Sequence, residues 1–239
     1  MKLLLLSNST NKGEDYLQYP QNEIIEFLGD AKKNILFIPY AAVTVGYDEY
    51  EILVADRFRQ MGNFNVTSIH KYENKGKALE KADAIVVGGG NTFMLLHMLY
   101  KNKLIEKIKK LVKKGKPYIG WSAGANIVCP SIRTTNDMPV VWPQSAKALN
   151  LIPFQINPHY FESASPDFAG ETRDMRLREF ITVNSGIYVV GLREGSLLRV
   201  ENGYIKLVGM KKARIYINDN ETLEVSPGDD LKYLLNNSC

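Results

Sequence analysis

Short, unbroken apolar runs recur along the first half of the chain, at residues 3–6, 35–38, 66–69, 84–87 and 118–119. Between them apolar positions fall at helical spacing, as in Ile24, Ile25, Phe27 and Leu28, or Leu104, Ile105, Ile108 and Leu111. A strand buried on both faces has no polar side to show. Such runs alternating with amphipathic helices therefore predict an α/β fold, a mostly parallel sheet with helices on both faces. Sheets of this kind present their sites in loops at the carboxyl ends of the strands. After about residue 183 the pattern changes: residues 187–191, 196–200 and 204–208 are short strand-like runs, the last two joined through Glu201-Asn202-Gly203. The C-terminal end is thus expected to be β-rich, antiparallel and hairpin-like. No linker, repeat or low-complexity tract interrupts the chain, so residues 1–239 are expected to form one α/β domain.

Composition narrows the class. Of 239 residues, 45% are hydrophobic and 23% charged, which excludes disordered, collagen-like and coiled-coil chains. The net charge of +4 is scattered apart from the lysine-rich run 107–116, a solvated helix face, so no nucleic-acid partner is expected. The opening residues 1–7 are too short an apolar run for a signal peptide, and no stretch approaches the length of a membrane span. Two cysteines, Cys129 and Cys239, are too few for a disulfide framework or a zinc site, and they suit a reducing cytoplasm.

Gly120-Trp121-Ser122-Ala123-Gly124 follows the strand-like Pro117-Tyr118-Ile119 and precedes a run of small residues. This is the nucleophile-elbow pattern, in which flanking glycines permit a sharp strand-to-helix turn that presents the serine hydroxyl. A bare serine is a poor nucleophile near neutral pH and requires a base. Three histidines are available. His97 lies in an apolar helix, where a structural role is the ordinary one, and His70 ends a strand. His159, in Asn157-Pro158-His159-Tyr160, belongs to a strand running into a proline-fixed loop, where a parallel sheet presents catalytic groups, and is taken as the base. For the acid that orients the imidazole, Asp137 in a polar loop and Glu194 after an apolar strand are both candidates.

Gly88-Gly89-Gly90 also joins a strand to a helix. As a nucleotide site it lacks the third glycine of the dinucleotide fingerprint and the Gly-Lys-Ser/Thr ending, whereas beside an elbow serine its backbone N–H groups serve an oxyanion. In the helical segment from Gly170, Arg173 falls on the stripe of Leu177, Phe180 and Ile181. An inward guanidinium needs an anion, either a substrate carboxylate or an internal partner such as Glu171.

Together these segments resemble the peptidase E family of α-aspartyl dipeptidases, serine enzymes related to the class I glutamine amidotransferases. The resemblance rests on Ser7-Asn8-Ser9-Thr10, Gly88-Gly89-Gly90-Asn91-Thr92, Gly120-Trp121-Ser122-Ala123-Gly124, Thr134-Thr135-Asn136-Asp137, Asn157-Pro158-His159, Gly170-Glu171-Thr172-Arg173 and Gly191-Leu192-Arg193-Glu194-Gly195, and departs only beyond about Val208. It implies an amidotransferase-like fold and cytoplasmic hydrolysis of Asp-Xaa dipeptides by a monomer or homodimer, without metal or organic cofactor. It further implies Ser122 as nucleophile, His159 as base, N–H groups of Gly89, Gly90 and Ala123 as oxyanion donors, and Arg173 as the ligand of the aspartyl carboxylate. Chain order favours Glu194 over Asp137, because Ser122, His159, Glu194 matches the cysteine, histidine, glutamate series of the amidotransferases. The alternatives are a cyanophycinase-like or other amidotransferase-related serine hydrolase, and a nucleotide-binding module built on Gly88–Gly90.

Overall fold

The structure, a computed structural model, describes residues 1–162, 170–217 and 222–236. Five parallel strands come first: β1 (Lys2–Leu6), β2 (Lys33–Ile38), β3 (Phe64–Ser68), β4 (Ala84–Val87) and β5 (Tyr118–Trp121). The connecting helices are α1 (Gln21–Leu28), α2 (Tyr47–Met61), α3 (Lys75–Lys81), α4 (Thr92–Lys101) and α5 (Ile105–Lys113). Then follow α6 (Ala123–Asn126), β6 (Gln155–Tyr160), α7 (Arg173–Val183), β7 (Val189–Arg193), β8 (Ser196–Glu201), β9 (Tyr204–Gly209), β10 (Ala213–Tyr216) and β11 (Thr222–Val225).

The expected parallel sheet forms in the order β3-β2-β4-β5-β1, and β8 and β9 extend it antiparallel to seven strands. Alternation along each strand sends side chains to opposite faces. Leu3, Leu5, Ile85 and Val87 pack with α3, α4 and α5, while Leu4, Leu6, Phe37 and Val86 pack with α1 and α2. The β-rich C-terminal end differs from the expectation in one respect. The hairpin β8–β9 joins the main sheet, but β7, shifted two residues from the predicted run, enters a second sheet ordered β11-β10-β7-β6, in which β6 and β7 are parallel. Ile156, Val190, Leu192, Ala213 and Ile215 of that sheet share a core cluster with Leu3 and Leu5 of the first.

His159 lies within β6 and not in a loop beyond it. Pro158 cannot donate to a ladder, so the edge strand β6 bulges there: between the pairs Asn157–Gly191 and Tyr160–Arg193, two residues stand opposite Leu192 alone. His70 sits in a single 3₁₀ turn just past β3, and His97 is half-buried on α4.

All carboxyl ends of β1, β4 and β5 lie at one edge, and their approach is set by glycine. A Cβ on Gly120 would stand 2.2 Å from the Gly124 carbonyl oxygen, and one on Gly124 would stand 2.2 Å from that of Val87. Gly124→Ala must therefore separate α6 from β4. Urea denaturation is expected to show a loss of about 3 kcal/mol or more, the upper range for overpacked cores.

Candidate active site

At the end of β5 the chain turns abruptly. Ser122 has φ 52° and ψ −113°, outside the comfortable regions for a residue with a side chain, and caps the single-turn helix α6. Such a conformation costs on the order of 1–3 kcal/mol and persists only where its surroundings hold it. Here the Ser122 N–H donates to the Leu6 carbonyl at 3.0 Å, continuing the β1–β5 ladder by one residue before the turn. The Trp121 indole donates to the Tyr50 hydroxyl at 3.0 Å, and that hydroxyl donates to the Gly89 carbonyl at 3.2 Å, fastening the elbow to the triglycine loop. Among the described residues, no acceptor takes the N–H groups of Gly89, Gly90 or Ala123.

The second sheet brings the imidazole. His159 Nε2 lies 2.9 Å from Ser122 Oγ, and Nδ1 lies 2.6 Å from Glu194 Oε1. A carboxylate only accepts, so Nδ1 carries the proton and Nε2 is left to accept from the serine. Glu194 stands in the two-residue connection from β7 to β8, where the chain passes from the second sheet to the first.

Sequence reasoning missed the two residues that hold this arrangement. The bulge in β6 strands the His159 N–H and the Leu192 carbonyl. The fully buried Ser7 hydroxyl accepts from the first at 2.9 Å and donates to the second at 2.7 Å. Asn8 Oδ1 accepts the Gly195 N–H at 2.9 Å and so fixes the turn carrying Glu194. Their position, polar and immediately past the apolar run Leu3–Leu6 at the site-bearing sheet edge, was the available signal.

Asp137 is placed elsewhere. Its Oδ2 accepts from the Thr92 N–H at 2.7 Å, the Thr92 hydroxyl at 2.5 Å and the Thr135 hydroxyl at 3.0 Å, beside the first turn of α4. The loop is tied to β6 by Asn157, whose amide donates to the Thr134 carbonyl and Asn136 Oδ1, both at 2.8 Å.

Arg173 opens α7, half-buried, with its guanidinium 4.4 Å from the Phe161 ring centroid and hydrogen-bonded to the His159 carbonyl. The internal partner weighed for it, Glu171, pairs instead with Arg176 at 2.9 Å. Among the described residues, no carboxylate pairs with Arg173. Burial, and then the nearby Arg176, lower its pKa, yet a guanidinium starts so high that it stays charged. Its neighbour Asp174 anchors the helix by accepting from the hydroxyls of Tyr160 and Tyr216 and pairing with Arg214. Burial works against that carboxylate, but these donors and Arg214 hold its pKa below the ordinary value. Burial, followed by Asp174, pushes Tyr160 up to about 12.

Two cavities flank His159 and Arg173. One, of about 330 Å³, is lined by Gly90, Ser122, Thr135, Asp137, His159 and Arg173. The other, of about 720 Å³, adds Phe161, Glu162, Glu194 and Lys211. Asp48, Glu51 and His70 bring ligand atoms within 4.8 Å of one another away from these cavities, but Lys71 already pairs with both carboxylates, at 3.3 and 2.5 Å. Burial pushes the Cys129 thiol up to about 12, leaving it protonated; Cys239 lies outside the described residues.

The model of the peptidase family S51 matches residues 3–208. A protein named peptidase E from Nostoc is 49% identical over 98% of this chain and 96% of its own. One of the same name from Shewanella oneidensis is 44% identical over 97% and 98%. A Drosophila melanogaster protein named "Probable alpha-aspartyl dipeptidase" is 44% identical over 98% and 97%. The crystal structure of a peptidase from an acI-B1 actinobacterium superposes with a TM-score of 0.70, covering 96% of both chains at 18% identity, a likeness of fold.

Ser7→Ala tests the link between the sheets. It leaves two buried backbone groups without partners, and urea denaturation is expected to show a loss of roughly 1–3 kcal/mol for each.

Proposed function

The chain belongs to peptidase family S51, and from that premise we propose that it hydrolyses Asp-Xaa dipeptides through an acyl-enzyme on Ser122. The observation that carries this reading is the unbroken contact series Ser122 Oγ, His159 Nε2, His159 Nδ1, Glu194 Oε1 at 2.9 and 2.6 Å, opening on a cavity that also holds an arginine without a carboxylate partner among the described residues.

His159 takes the Ser122 proton as Oγ attacks the carbonyl carbon of the N-terminal aspartate, and Glu194 stabilises the imidazolium that results. Negative charge moves to the carbonyl oxygen, where the unclaimed N–H groups of Ala123 and of Gly89 or Gly90 are suited to receive it. The intermediate collapses as His159 gives its proton to the leaving amine, and the aspartyl ester remains on Ser122. Water activated by the same imidazole then attacks the ester and releases aspartate. Arg173 pairs with the side-chain carboxylate of that aspartate, which sets the preference for the first residue. No metal takes part, and activity should survive EDTA. A cytoplasmic monomer or homodimer acting on small peptides fits this reading. Among the described residues, no helix is long and apolar enough to cross a membrane.

Steady-state assays on Asp-Leu, Glu-Leu and Ala-Leu test the assignment. Ser122→Ala should abolish hydrolysis while the protein stays folded, and Glu194→Gln should lower turnover roughly 10²–10⁴-fold. Asp137→Asn should keep its turnover at saturating substrate; the reverse result for the two acids would move the triad to Asp137.

Arg173→Ala should raise KM for Asp-Leu by tens to thousands of fold and erase the preference over Ala-Leu, because a charge left unpaired in a partly buried site costs roughly 2–5 kcal/mol. Intact Asp preference in that variant would place carboxylate recognition elsewhere.

A further inference from the structure

We infer that Asp137 binds the α-ammonium group of the substrate, so that the site reads a free N-terminal aspartate by both of its charges. The inference rests on the Asp-Xaa reading above and adds a second specificity residue to it.

The argument begins with how the carboxylate is satisfied. Every hydrogen bond that Asp137 accepts from a described residue goes to Oδ2, from Thr92 and Thr135. An ionised carboxyl group offers about four acceptor positions across its two oxygens, so Oδ1 retains its capacity. Among the described residues, no lysine, arginine or histidine pairs with Asp137, and the donors on Oδ2 are neutral, so none of them compensates its charge. A half-buried carboxylate in that condition favours a cationic ligand.

Place supplies the second observation. Asp137 lines the 330 Å³ cavity together with Ser122, Gly90, His159 and Arg173. Glu194 does not line it, and its carboxylate is engaged by His159. Among the described residues, the cavity therefore sets one carboxylate without a cationic partner and one guanidinium around the attacking hydroxyl. The residue to be cleaved carries the matching charges on adjacent carbons: an ammonium on the α-carbon and a carboxylate on the β-carbon. With Arg173 taking the carboxylate, Asp137 is the group left for the ammonium. The Thr92 and Thr135 donors serve to aim it, since they lock Oδ2 and leave Oδ1 without a described donor. An acylated or internal aspartate offers no cation and would bring uncharged chain against Asp137, so this contact confines cleavage to the first residue of a peptide.

Succinyl-leucine is Asp-Leu without its amino group, and comparing the two isolates the contact. In the wild-type enzyme kcat/KM should favour Asp-Leu by about a hundredfold, in the range of a charge-assisted hydrogen bond. Asp137→Asn retains an oxygen for Thr92, and in it that ratio should fall tenfold or more, with the change in KM and little in kcat for Asp-Leu. Asp137→Ser, which also keeps an acceptor, is the second variant if the first melts early. Equal rates on the two substrates in the wild-type enzyme would overturn the inference without any variant. So would an unchanged ratio in a folded variant, or a parallel loss on both substrates, which would mark a role in holding the loop. A wild-type enzyme that cleaves neither dipeptide would instead refute the dipeptidase reading itself.

Discussion

Ser122 and His159 come from different sheets, so their contact exists only as far as the two sheets are held at one spacing, and at the site a single buried hydroxyl links them. Ser7 directly follows β1 of the main sheet, accepts the N–H of His159 on β6 and donates to the carbonyl of Leu192 on β7. Both groups are stranded by the bulge at Pro158, where two residues face one. A buried N–H or carbonyl without a partner costs more than an ordinary hydrogen bond gains, so the bulge and the serine require each other. One residue earlier, the Leu6 carbonyl receives the Ser122 N–H. Adjacent residues at the end of one strand thus position the serine and the histidine.

Backbone strain is concentrated at the same place. Ser122 and His159 both hold φ near +52°, each turning its side chain away from the path its strand would otherwise impose. Neither conformation is favoured locally, and each is kept by contacts made on both sides of it. The elbow is wedged by α6 against β4, and the bulge is pinned by Ser7, while Asn136 donates to the Pro158 carbonyl at 2.7 Å. Rigid strand ends with satisfied neighbours hold reacting groups more closely than loops of similar length.

Charge is arranged by the same economy of partners. Acidic and basic groups beneath the site are matched: Asp174 with Arg214, and Glu224 with Arg193 and Arg214. This network fixes the start of α7 and leaves Arg173 facing the cavities with no carboxylate partner among the described residues. Asp137, of opposite charge, lines the same small cavity and is held, among the described residues, by neutral donors.

Much of this was legible in residue order. Continuous apolar runs alternating with amphipathic helices indicated strands covered on both faces, the glycines around Ser122 suited a tight turn, and the placing of His159 and Glu194 near strand ends brought them to one edge. The sequence also marked Arg173 as an inward charge in need of an anion. What it left open were matters of distance between segments far apart in the chain. Chain order favoured Glu194 over Asp137 without giving either a partner, and only packing put one on His159 and the other on Thr92. The division into two sheets was hidden because β7 and β8 are separated by two residues and carry the same apolar pattern, which records burial but not the partner that provides it. For the same reason Ser7 and Asn8 stood out only as part of a family resemblance, with no role of their own. A hydroxyl bridging groups more than 150 residues away has no local signature, since its role is defined by backbone atoms that only the folded chain brings within reach.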